Sequence, residues 1–319
     1  MNEKIIPGLL ALILALALGT VQLFAQQDDY IVKFDSKKDG STIRIVQDCR
    51  LYTEHWDTLP QTRFWQAIMC LPKDTSLINI ARTRQVLGGV RTSLIDSLQG
   101  EELNAYKDSV RKVFGLDKDE KIYITSGRDF YYKFEDAFAD ISPAIDEFEA
   151  EGINPWYAQA ILLIESPGRT RRSGAGAYGS FQLMASVARD MGLVVTSSQD
   201  DRKDLKKSAR GAAKFLRTVC IPRTKLILDD MGLGYHENDL WFRLLVLHVY
   251  HAGYRNVRGA LQELNPRWTG QDLIRDLWQT ESRRFGNASQ NYSQVILASM
   301  VRTDLLLMEC YDRQCTCCK

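Results

Sequence analysis

The sequence predicts an all-α protein: a helical domain of about 180 residues, within the usual size of one folding unit, preceded by a mostly helical extension that carries a small β-hairpin. Two observations predict this. Apolar residues recur at helical spacing from about Thr62 onward, with capping-type residues at several segment starts. Only one stretch, near the N-terminus, has the look of paired strands.

Taken in order, residues 1–25 form an apolar run after a short charged start at Lys4, then give way to a polar stretch. That is the layout of a secretory signal, with Ala25 as the cleavage residue and a periplasmic or cell-envelope destination. An uncleaved anchor is the competing reading, because some twenty apolar residues can span a bilayer; Pro7 and Gly8 weaken a continuous spanning helix. No cysteine follows the run, so the simplest lipid attachment is absent. "YIVKF" and "STIRIVQD", separated by the turn composition "DSKKDG", predict a hairpin over residues 30–47.

The segments "QTRFWQAIMCL", "TSLINIARTRQVLGGVRTSLIDSL" and "EELNAYKDSVRKVFGL" are each expected to be helical. Residues 26–135 carry no recognisable chemistry and read as a helical scaffold or as a surface for a cell-envelope protein partner. Residues 136–309 form the second unit. "SPAIDEFEAEG" and "NPWYAQAILLIES" predict two helices joined at "GIN", with Pro155 in the first turn of the second. Leu205, Ala209, Ala212, Leu216 and Val219 mark a buried stripe, and "WFRLLVLHVYHAG", apolar nearly all round, marks an enclosed central helix. "NYSQVILASMVRTDLLLMEC" closes the core.

Composition narrows the function little. In 319 residues, 41 Lys plus Arg against 40 Asp plus Glu leave no global field that would call for nucleic acid. Seven cysteines in an exported chain suggest disulfides with one thiol left over. The tail 310–319 holds Cys310, Cys315, Cys317 and Cys318 but lacks histidine and paired CxxC spacing, which favours a tail disulfide or free thiols over a metal site.

The chemistry concentrates at Glu165, a carboxylate that ends the apolar run "ILLIE". Burial disfavours the charged form, so this acid is expected to be protonated near neutral pH, as a general acid must be. The bland alternative is a helix-end glutamate that caps a neighbour or pairs with Arg169, Arg171 or Arg172.

Around it stand Glu165-Ser166, Ser173, "GAYG" at 176–179, Gln182-Leu183-Met184, "DDRKDLKKSARGAAKFL", "YHAG" at 250–253 and "FGNASQNYSQVILA". In this order, over about residues 140 to 305, the chain resembles the lytic transglycosylases that cleave bacterial peptidoglycan. The resemblance implies a lysozyme-like, goose-type fold, glycan strands as substrate, and no cofactor. It makes Glu165 the sole acid/base, has Ser173 and Gln182 hydrogen-bond the N-acetyl or neighbouring sugar groups, has Met184 line the groove, and sets Tyr250 near the cleaved bond. Met184 has a plain core alternative, and Tyr250 that of a buried aromatic with a satisfied hydroxyl. His251 stands where the family has asparagine, either titrating to modulate the site or replacing an amide hydrogen bond.

Asp201, Arg202 and Asp204 are expected to hold helices together, Asn291 and Tyr292 to be groove-wall or structural residues, and His248 to be a satisfied core residue. The implied product is a 1,6-anhydromuramic end formed without water. Two rivals are a goose-type hydrolase, which needs a second carboxylate with Asp200 or Asp201 the nearest in sequence, and an inactive glycan-binding scaffold.

Overall fold

The computed structural model describes residues 29–35, 40, 42–165, 172–282 and 285–315. The signal-like segment, Arg169, Arg171, Cys317 and Cys318 lie outside the described residues.

The chain opens with the expected hairpin. Strands β1 (Asp29–Asp35) and β2 (Thr42–Asp48) pair antiparallel in register from Asp29 with Asp48 to Asp35 with Thr42. A single helical turn, α1 (Arg50–Thr53), leads to α2 (Pro60–Cys70), which opens on the proline where no backbone donor is needed.

The next stretch corrects the sequence reading. Residues 75–98, expected to be helical, form β3 (Thr75–Ile80) and β4 (Val86–Arg91), and only α3 (Thr92–Asp96) is helical. After α4 (Glu101–Phe114), β5 (Ile122–Ser126) completes an antiparallel sheet ordered β4-β3-β5. The physical reason lies in residue type. Ile78, Ile80, Val86 and Val90 are β-branched, and adjacent Gly88 and Gly89 weaken a helix interior. With β3 paired on both sides, β3 and β4 gain more from the sheet than from a marginal helix. Val110 of α4 packs on Ile78 and Ile122 to give the sheet its own small apolar cluster. The N-terminal region is therefore mixed α and β, with two small sheets.

Beyond it the protein is helical, as expected. In order come α5 (Phe134–Ala150), α6 (Trp156–Glu165), α7 (Ala185–Asp190), α8 (Leu205–Phe215), α9 (Ile221–Asp230), α10 (Leu240–Ala252), α11 (Tyr254–Leu264), α12 (Gln271–Leu277) and α13 (Asn287–Cys315). A π-helical turn, Leu216–Cys220, joins α8 to α9 just before Pro222, whose missing N–H cannot continue the regular ladder.

Two helices anchor the core. In α6, Asn154 accepts a hydrogen bond from the Trp156 amide at 2.8 Å and Pro155 sits between them, an N-cap followed by proline. Every residue from Trp156 to Ile164 is buried. Gln159, the polar interruption, is matched on both sides of its amide: Oε1 accepts from Val46 N at 2.7 Å and Nε2 donates to Val46 O at 2.8 Å. This ties α6 to β2. In α10, Leu240 through Val249 are buried, including Arg243, which pairs with Asp29 at 3.1 Å. His248 exchanges a 2.7 Å hydrogen bond with the Ser293 hydroxyl inside the core. One apolar cluster runs from Ile45 of β2 and Trp65 of α2 through α6 and α10 to Leu307 of α13. The hairpin and α2 are thus packed into the same core as the later helices, which fixes what faces the end of α6.

Candidate active site

Glu165 is the last residue of α6, so the helix that carries it is immobilised along its full length by burial. The side chain opens into a cavity of about 600 Å³. α6 supplies Ile164 and Glu165; α10 supplies His251; α13 supplies Asn291 and Tyr292. The rest of the lining comes from the N-terminal region: Trp65 of α2, Arg84 from the β3–β4 turn, Tyr123 of β5, then Arg128, Tyr131 and Tyr132. Sequence reasoning gave that region no chemistry. Its aromatic density after residue 120 was the available signal.

The Tyr292 hydroxyl donates to Glu165 Oε1 at 2.7 Å. Burial pushes the Glu165 carboxyl up to about 7, against the opposing pull of the Tyr292 hydrogen bond. Desolvation wins because no cation among the described residues is paired with Glu165. Arg172 instead lies over the Tyr178 ring, with 5.4 Å to its centroid. Glu165 is the only carboxylate among the described residues lining the cavity.

His251 stacks on Tyr292, ring centroids 4.1 Å apart and 19° from parallel. Although its edge is open to the cavity, the crowding walls hold its pKa below the usual histidine range, which makes it neutral at neutral pH. It therefore acts as a flat, uncharged plate that braces Tyr292. Tyr250 lies one step behind. Its hydroxyl donates to Phe181 O at 2.6 Å, joining α10 to the loop before α7.

The remaining sequence-marked residues lie on that loop and not in the cavity lining. Ser173 Oγ accepts from Ala177 N at 3.0 Å, Gln182 Nε2 donates to Gly179 O at 2.9 Å, and Met184 is exposed at the start of α7. Tyr178 and Leu183 exchange backbone hydrogen bonds at 3.1 and 3.2 Å, closing a tight turn in which Gln182 takes a φ of 44°. The helix that follows that turn begins only at Ala185.

Gly179 must be glycine. Its φ is +86°, and a Cβ there would collide with the carbonyl oxygen of Arg202. Arg202 in turn reaches back: Nη1 donates to Gly176 O and Leu183 O at 3.1 and 3.0 Å, while Asp200 holds its other edge at 2.7 Å. Asp201 pairs with Lys207 at 2.8 Å and Asp204 caps α8 through Lys207 N at 2.8 Å. Asp200 and Asp201 are both held below the ordinary carboxylate range, each chiefly by its basic hydrogen-bond partner, Arg202 and Lys207.

Cys49, Cys70 and Cys220 are free thiols. Among the described residues, no group of three or more His, Cys, Asp or Glu side chains could hold a metal ion, and no helix is long and apolar enough to cross a membrane.

A glutamate thus ends a buried helix and lines a cleft in the helical part of the protein. Residues 142–265 match the family model described as the transglycosylase SLT domain, which agrees with the resemblance to lytic transglycosylases. No curated protein matches the chain.

Proposed function

We propose that the protein is an exported lytic transglycosylase of goose-type fold that acts in the periplasm or cell envelope. It cleaves the β-1,4 bond between N-acetylmuramic acid and N-acetylglucosamine and leaves a 1,6-anhydromuramic end. The observation that carries this reading is Glu165: the lone carboxylate among the described residues of the cavity lining, its pKa pushed up to about 7 by burial.

A group with that pKa is protonated often enough at neutral pH to act as an acid, and a weak enough acid to act afterwards as a base. Protonated Glu165 gives its proton to the glycosidic oxygen as the C1–O bond breaks and the N-acetylglucosamine leaves as an alcohol. The substrate's own acetamido oxygen bonds to C1 and carries the positive charge. The muramic 6-hydroxyl then attacks C1, displacing the acetamido oxygen, and its proton returns to the Glu165 carboxylate. No water is consumed and the enzyme ends as it began.

Tyr292 fixes one carboxyl oxygen, leaving the other to face the scissile bond. His251 holds Tyr292 in place. The partly exposed rings of Tyr123 and Tyr131 suit the apolar faces of sugar rings, and this supports a substrate-binding role for the N-terminal region ahead of a docking role for another envelope protein. Ser173, Gln182 and Met184 border the path of flanking sugars: the Ser173 hydroxyl, which accepts from Ala177, has its own proton to donate. A hydrolase would need a second acid to direct water, and the ties of Asp200 to Arg202 and Asp201 to Lys207 favour the single-carboxylate route.

The test is mass spectrometry of soluble products from peptidoglycan sacculi, with Glu165→Gln as control. Anhydromuropeptides from wild type and none from the variant are expected. Reducing-end products would overturn the non-hydrolytic route, and products from both proteins would remove Glu165 from the chemistry.

A further inference from the structure

Four arginines are buried among the described residues: Arg50, Arg84, Arg202 and Arg243. Three have a carboxylate partner, Asp48 at 2.8 Å, Asp200 at 2.7 Å and Asp29 at 3.1 Å. Arg84, only 4% exposed, has no such partner among the described residues, and it alone of the four lines the Glu165 cavity.

Its contacts are all neutral. Nη1 donates to Asn79 Oδ1 at 3.2 Å, and Nη2 to Asn287 and Asn291 Oδ1 at 2.9 and 2.8 Å. The guanidinium lies over the rings of Phe64, Trp65 and Tyr123, 5.1 to 5.9 Å from their centroids. Its Nε is buried without a hydrogen-bond partner. A desolvated cation held by amides and ring faces is positioned but not neutralised. Burial accordingly pulls its pKa down. Nor does its charge serve the acid, since the influences on Glu165 are burial and the Tyr292 hydroxyl.

We propose that Arg84 is the anion-recognition residue of this cavity and takes a carboxylate on the side arm of a muramic residue. The inference rests on the glycan-cleaving reading and adds which strands are preferred. Guanidinium matches a carboxylate in shape and charge, and N-acetylglucosamine carries none. Arg128, exposed in the same wall, adds positive charge near the entrance. The carboxylate can come from a free lactyl group on peptide-free strands or from the stem peptide.

Binding to the full chain carrying Glu165→Gln, which does not consume ligand, separates these. The probes are peptide-free glycan with free lactyl carboxylates, the same glycan with those groups converted to methylamides, peptide-bearing strands, and the neutral N-acetylglucosamine hexamer. Amidation, or replacement of the peptide-bearing strands by the hexamer, is expected to weaken binding at least tenfold. Arg84→Gln should erase that preference while hexamer binding stays within twofold; whichever acidic strand depends on Arg84 identifies the source. Equal binding of all four probes to protein with Arg84 intact overturns the inference and leaves the glycan reading standing. So does an Arg84→Gln variant that binds all four more weakly by one common factor, the mark of a purely structural clamp. Absence of binding to any glycan sinks both readings. The amidation arm needs no Arg84 variant to fold.

Discussion

The turn from Ser173 to Arg202 lies inside the matched family region, whereas most of the wall facing Glu165 comes from residues 65–132 and 287–295, outside it. The two differ in how they are built. The turn is local: Gly179, Gln182 and Leu183 are held by backbone hydrogen bonds and by Arg202, all within thirty residues. The wall is assembled across the chain, with Arg84 bonded to Asn291 and Tyr292 to Glu165. Motifs in sequence therefore mark the locally determined turn more than the wall assembled across the chain.

The largest expected effect separates Glu165 from everything else. Glu165→Gln should lower turnover of sacculi about a thousandfold or more while the protein remains folded, because removing a positioned general acid commonly costs that much. Release of soluble fragments, followed beside a thermal melt, checks it; turnover within tenfold of wild type would break the distinction between acid and wall. Next comes the turn. Gly179→Ala is expected to destabilise by about 3 kcal/mol, since a left-handed φ and a collision with the Arg202 carbonyl add together. Its signature is a lowered melting temperature, and an unchanged one would mean the turn adjusts freely.

Tyr292→Phe sharpens the contrast on the side of the wall. Loss of a donor to the carboxylate disfavours the charged form, so the Glu165 pKa should rise further above about 7. A hydrogen bond to a charged group is worth roughly 1.5 kcal/mol, or about one pH unit. The acid must be protonated to work, so activity falls as pH rises through its pKa; the alkaline limb of kcat/KM is expected to move upward by that amount. A limb that stays in place would deny Tyr292 any electrostatic hold on the acid. The smallest effect belongs to Ser173→Ala, which removes the acceptor for Ala177 N. We expect about 1 kcal/mol of stability to be lost, with KM raised about threefold at constant kcat. A drop in kcat equal to that of Glu165→Gln would place Ser173 at the reaction centre.

How much could be read beforehand follows from the same division. α6 and α10 were legible because their apolar residues run nearly unbroken, and Glu165 stood out as the acid ending such a run. The order of "GAYG", Gln182 and "YHAG" was legible through the resemblance, and at Gly179 a positive φ with a close backbone approach restricts the residue type locally. The three-stranded sheet was not. Leu77, Ile78 and Ile80 fit helical spacing as well as strand pairing, and the pairing that favours the strand comes from β5, more than forty residues away. Tyr292 was seen as a wall residue, yet its bond to Glu165 spans 127 positions and leaves no local trace. Arg84 fell in a segment expected to be helical and carried no local mark, because its burial is created by α2, β5 and α13 closing around it.

The central claim is that burial holds Glu165 at about 7 in a cavity where no other described residue is acidic. Carbon-13 NMR titration of its side-chain carboxyl, assigned by comparison with Glu165→Gln, measures this directly. The account predicts a midpoint near 7 that rises in Tyr292→Phe; a midpoint near 4.5, that of an ordinary exposed glutamate, would contradict it.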